Sequence, residues 1–173
     1  MRDLIAAGVA IALVFAVLSL ATTLHDSRRS RRRKHEAERT RGRRVIAELP
    51  IGDDLTLFSE DDSCFYYGTQ VVKKASILAT RVLINGSPIA AATSTRARQQ
   101  ALQPTSFEDR PDGIARDRWD VALETEGGTV LVECGSIRER ISQELARAIF
   151  DVVKTSVENE DATTPSRESA RVD

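Results

Sequence analysis

Between residues 4 and 24 the chain reads LIAAGVAIALVFAVLSLATTL, twenty-one residues without a formal charge. As an α-helix this run spans about 31 Å, the thickness of a bilayer's hydrocarbon core, and it predicts one transmembrane helix. Small residues such as Gly8, Ala12 and Ser19 are ordinary in such spans, where they let neighbouring helices approach or bond back to the helix's own carbonyls. The pattern then changes abruptly. Residues 26–44, DSRRSRRRKHEAERTRGRR, hold no apolar stripe but are rich in helix formers up to Gly42, which predicts a short charged stalk.

Beyond residue 44 the apolar positions come in short runs. Segments 45–49, 55–58 and 64–67 are separated by Pro50, Gly52 and Asp53 and then by Glu60, Asp61, Asp62 and Ser63, the spacing of strands joined by turns. Residues 70–80 satisfy two patterns: Val71, Ala75, Leu78 and Val82 suit a helix face, whereas the β-branched content suits a long strand. Asn85-Gly86 predicts a type I′ hairpin turn, and Pro88 puts the second strand of that hairpin at an edge or near a bulge. A polar stretch follows over residues 94–118, broken by Pro104 and Pro111-Asp112-Gly113, with one short helix expected around 95–102. Residues 119–124 and 129–134 then alternate about the turn Glu126-Gly127-Gly128, a second hairpin. Ser136 and Glu139 stand in capping-box spacing before a helix, whose expected apolar stripe is Ile137, Ile141, Leu145, Ala148, Ile149, Val152 and Val153 and which is expected to end near Val157. A polar tail, 158–173, has the composition of a disordered segment.

These elements predict a small α+β domain over residues 45–157. An antiparallel sheet or β-roll of six or seven short strands is capped by a C-terminal amphipathic helix, behind a membrane anchor (1–25) and a basic stalk (26–44). The strand count and final helix resemble the pleckstrin-homology-like arrangement, in architecture only. Were residues 70–80 helical, a smaller sheet with two helices would result.

Charge adds topology to this picture. The net charge of −1 conceals eleven Lys and Arg against four acids in residues 1–44, so the first part carries about +7 and the remainder about −8. Arg28, Arg29, Arg31, Arg32, Arg33 and Lys34 follow the apolar run at once, and a cationic flank resists translocation, which predicts the N-terminus outside and the domain in the cytoplasm. Ser19-x-Ala21 is a signal-peptidase pattern, so an exported, cleaved protein is the competing expectation. Under the first topology those six side chains are expected to contact anionic phospholipid headgroups rather than nucleic acid. Cys64 and Cys134 form neither a disulfide framework nor a ligand pair, and His25 and His35 lack partners at metal-ligand spacing.

Adjacent acids such as Asp53/Asp54 and Asp61/Asp62 read as solvated turns. No catalytic residue, cofactor or metal site is expected, since the domain lacks His, a Gly-rich phosphate loop and a Gly-x-Ser-x-Gly elbow. The expected function is therefore a single-pass, membrane-anchored interaction or adaptor module with a protein partner of unknown identity; a membrane-bound enzyme is the further alternative. The candidate partner-binding loop contains Arg96, Arg98, Arg110, Arg116 and Arg118.

Overall fold

The computed structural model describes residues 15, 19, 28–51, 54–100 and 117–163. The predicted membrane span falls outside the described residues apart from Phe15 and Ser19, which are helical. Among the described residues no helix is long and apolar enough to cross a membrane. By its contacts the chain divides into two units, residues 1–42 and 43–173. In the first, residues 28–40 form helix α1, which ends at Gly42 with φ +74°; the Gly42 N–H reaches back to the Arg39 carbonyl at 2.9 Å, and a residue without Cβ takes this left-handed position at least cost.

The second unit is a small α+β domain of two antiparallel sheets and a C-terminal helix. Its first sheet is a meander of β1 (Arg44–Ile51), β2 (Asp54–Glu60), β3 (Cys64–Tyr67) and β4 (Gln70–Lys73). Inward-pointing Leu49, Phe58 and Phe65 are fully buried, and the Phe58 and Phe65 rings stack with centroids 5.6 Å apart. Residues 70–80 meet neither of their simple readings. They split into β4, a 3₁₀ turn at Lys74–Ser76, and the start of β5 (Ile77–Ile84). Both patterns were legible because the turn shifts the phase between two strands.

The second sheet has the order β6-β5-β7-β8, with β6 at Ser87–Thr93, β7 at Arg118–Thr125 and β8 at Gly128–Ser136. The β5–β6 turn is formed by Asn85 (φ 51°) and Gly86 (φ 77°), the two positive angles that a type I′ turn requires. Strand β6 is an edge strand, and Pro88 sits opposite Leu83 beside a register shift, so its missing N–H costs no ladder bond on the interior of the sheet. Both β6 and β7 run antiparallel to β5 and therefore parallel to each other, so their connection has to run the length of the sheet. It begins with the short helix α2 (Thr95–Gln100), capped by Ser94 Oγ, which accepts the Ala97 N–H at 3.2 Å.

Among the described residues the domain thus has eight strands rather than six or seven, the surplus coming from the division of residues 70–80. The C-terminal helix also differs from expectation. Strand β8 runs on to Ser136, so α3 spans Arg140–Thr163, starting later and ending later than predicted. The capping box does not form: Ser136 Oγ accepts from the Arg138 N–H at 3.3 Å instead. Starting the helix at Arg140 rotates the buried stripe to Ser142, Ala146, Ile149, Val153 and Val157, leaving Ile141 59% exposed and Ala148 exposed. That stripe joins one core with Ala47, Leu49, Phe58, Phe65 and Val72 of the first sheet and Ile77, Val82, Trp119, Val121, Leu123, Val132 and Cys134 of the second. The outer face carries the pairs Arg140–Glu144 at 3.2 Å, Arg147–Asp151 at 3.7 Å and Lys154–Glu158 at 3.8 Å, exposed contacts worth a few tenths of a kcal/mol each.

Where the β7–β8 register shifts, β8 passes close to α3 at Gly135, whose φ is +112° and where an added Cβ would lie 2.5 Å from the buried Ser142 Oγ. Gly135→Ala is expected to destabilise the domain by about 1–3 kcal/mol from backbone strain alone. Urea denaturation followed by Trp119 fluorescence measures this, and Gly127→Ala, at a turn position with ordinary φ where a Cβ makes only a 3.9 Å contact with Thr125 Oγ1, is the control.

Candidate functional site

The six cations proposed from the sequence lie on α1. Arg28, Arg29, Arg31, Arg32 and Arg33 are exposed and Lys34 is half-buried. At about 100° per residue they are distributed around the whole helix axis, so the segment presents positive charge on every side rather than an amphipathic face. Farther along the same helix Glu38 pairs with Arg41 at 3.0 Å.

The five arginines of the proposed partner-binding loop are not brought together among the described residues. Arg96, on α2, donates from Nη2 to the Ala75 carbonyl at 2.6 Å, while the neighbouring Thr95 N–H donates to Asp161 Oδ2 of α3 at 2.8 Å. Arg98 belongs to α2, and Arg110 and Arg116 fall outside the described residues. Arg118 opens β7 at the other end of β5 from Arg96. It is sunk into the fold rather than displayed on a loop, with its side chain 17% exposed, its Nε 2.8 Å from Asp120 Oδ1 and its Nη1 3.0 Å from Glu133 Oε2.

Asp120 is fully buried. Its pairing with Arg118 is close but out of line for a hydrogen bond, and neither carboxylate oxygen has a hydrogen-bond partner among the described residues. Burial raises the Asp120 carboxyl above its ordinary range, and the Arg118 charge offsets this only in part. Beside it, burial first and then the Asp120 charge push the Cys134 thiol up to about 12, which leaves it an inert packing group. Tyr67, raised by burial, accepts the Glu133 N–H at 3.3 Å and so ties β3 of the first sheet to β8 of the second.

A second charged cluster lies under α3. Glu60, 8% exposed at the end of β2, receives Arg44 of β1 on one carboxylate oxygen and the Lys74 ammonium on the other, the latter at 2.9 Å. Lys74 also sits 4.9 Å from the Phe65 ring centroid. Burial would raise the Glu60 carboxyl, but hydrogen bonds from Lys74 and Arg44 and the charges behind them hold it below its ordinary value. This triad floors an open groove of about 490 Å³ whose rim carries Asp62, Asp151 and Glu160. Sequence reasoning missed it, although one signal was available: Glu60 falls in the same inward phase of β2 as Phe58.

The β2–β3 turn is held by Asp61. Its Oδ1 accepts the Ser63 and Cys64 N–H groups at 2.8 and 2.7 Å, its Oδ2 accepts the Tyr66 hydroxyl at 2.6 Å, and Arg43 lies over the Tyr66 ring. The Tyr66 hydrogen bond, followed by the backbone ones, drives the Asp61 carboxyl far below the usual range, so these adjacent acids include a structural Asx turn.

No protein family, curated protein or solved structure matches the chain. Among the described residues no group of three or more His, Cys, Asp or Glu could hold a metal ion.

Two outcomes follow for the charged clusters. Glu60→Ala leaves Lys74 beneath α3 without its counter-charge; the expected loss is about 2–3 kcal/mol, below that of a fully buried pair because Arg44 is 71% exposed. Asp120 binds a proton more tightly folded than unfolded, so its contribution is most favourable at low pH and is lost as pH rises from its unfolded value through the raised folded one. Denaturation from pH 4 to 8 is expected to show Asp120→Asn gaining stability relative to the parent chain over that rise, with a constant difference above it.

Proposed function

We propose that this chain is a single-pass membrane protein whose N-terminus faces outward and whose α+β domain works at the cytoplasmic surface as a non-catalytic interaction module. The observation that carries this reading is the sequence of surfaces at the N-terminal end. Twenty-one uncharged residues precede a helix that bears six cations on all sides and, over residues 28–34, no acid. A collar of this kind is attracted to anionic phospholipid headgroups by about 1 kcal/mol per cation near the surface, and it resists passage across the bilayer. Nucleic acid is the weaker reading for the same side chains, because residues 45–173 carry about −8.

For the domain, the reading as a module rests on how its charged groups are used. Arg118, Asp120, Glu60 and Lys74 serve one another, and Asp61 holds a turn. The layout of a meander, a second sheet and a closing helix resembles the pleckstrin-homology-like scaffold in outline, although the β6-β5-β7-β8 order interrupts the meander. That likeness supplies a scaffold and no ligand.

Protease protection of a C-terminal epitope in sealed vesicles, read together with the intact N-terminal mass, tests the proposal. Digestion only from the cytoplasmic face, with residues 1–21 retained, is expected. Digestion only from the outer face, or a chain beginning at Thr22, would replace this reading with an exported, cleaved protein. Failure of the detergent-solubilised chain to retain any stoichiometric protein partner would remove the adaptor role.

A further inference from the structure

The cationic collar encloses one hydroxyl. Ser30 is exposed and helical, preceded by Arg28 and Arg29 and followed by Arg31, Arg32, Arg33 and Lys34. On an α-helix Arg33 and Lys34 stand three and four residues further on, against the face that Ser30 occupies. We propose that Ser30 is a phosphorylation site that switches the collar's hold on anionic lipid. The inference rests on the headgroup contact proposed above and names how that contact is regulated.

Three features favour this serine. Arginines on both sides give a kinase with an acidic substrate groove several ion-pair handles, and the exposed hydroxyl is within its reach. The local helix is also easily opened into the extended form that a kinase threads. Like charges repel at spacings of three and four residues, as between Arg28 and both Arg31 and Arg32 and between Arg29 and both Arg32 and Arg33, and this weakens the helix locally. Finally, the product is stabilised where it forms. A phosphoserine carries about −1.5 to −2 charges near neutral pH, and Arg33 and Lys34 are placed to hold it.

The step transfers the γ-phosphoryl group of ATP. The Ser30 Oγ bonds to phosphorus, the bond to the β-phosphate oxygen breaks, ADP leaves with that electron pair, and the hydroxyl proton passes to the kinase's base. The collar's net charge falls from six to about four, two of its six cations being matched by the phosphate. Because each charge near an anionic surface contributes about a factor of five, preference for anionic lipid is expected to fall about thirty-fold.

The test uses the full chain in mild detergent with equimolar phosphatidylglycerol and phosphatidylcholine, reading retained lipid by native mass spectrometry. Unmodified chain is expected to enrich phosphatidylglycerol, less so as salt rises. No enrichment would overturn headgroup contact, and the switch with it. Incubation with ATP and a serine/threonine kinase that selects arginine-flanked hydroxyls is expected to add one phosphoryl mass at Ser30 and to abolish most of the enrichment. Ser30→Ala is expected to remain unmodified there and to enrich phosphatidylglycerol as the parent chain does. Enrichment without modification of Ser30 overturns the site alone, and full modification with unchanged enrichment overturns the switch alone.

Discussion

The domain depends on the seating of α3 between the inner faces of its two sheets. Each sheet has one strongly apolar face, and the stripe Ala146, Ile149, Val153 and Val157 enters the same core as residues from both. Withdrawing the helix would return the inner faces of both sheets to water at once, so the free energy of the sheets and that of the helix cannot be assigned separately. Gly135 lets β8 lie against Ser142 of the helix's first turn, on the face that is buried. From the helix's seating the position of the groove and the anchoring of α2 on Asp161 follow, because both are built along the C-terminal half of the same helix.

Much of this was legible in the sequence. The first three strands, the Asn85-Gly86 turn, the edge position of Pro88, the short helix near residue 95 and the hairpin about Glu126-Gly127 each rest on local rules that the tertiary structure does not override. Helix α3 shows where local rules stop. Ser136 and Glu139 are a sound capping pair, but β7 holds β8 in register as far as Ser136, and pairing across strands outweighs one cap. The segment 70–80 shows another limit, since a three-residue turn between two strands imitates a helical period.

Charged residues were the hardest to read. Asp120 alternates with the core residues Trp119 and Val121, the phase of an outward-facing position, and is nevertheless buried. Alternation reports which face of a strand a residue occupies, but not whether that face meets water. Arg118 was assigned to a polar loop because sequence shows the composition of its neighbours and not the carboxylates across the sheet. Conversely, the feature of the cations of residues 28–34 on which the proposal rests, their adjacency to an uncharged run, is itself a matter of sequence order.

The contact between Asn85 and the start of β7 has a consequence for how the chain varies and folds. The Asn85 side chain accepts the Asp117 and Arg118 N–H groups, and its own N–H donates to the Arg118 carbonyl at 3.1 Å, so β7 is recognised by a turn 32 residues earlier. Closing a loop costs free energy only as the logarithm of its length, about 0.6 kcal/mol per doubling. Insertions between α2 and Asp117 are therefore cheap for stability as long as this clasp is kept. The first sheet is built from neighbouring hairpins, whereas the pairing of β7 with β5 is non-local, the kind of contact that slows folding in general.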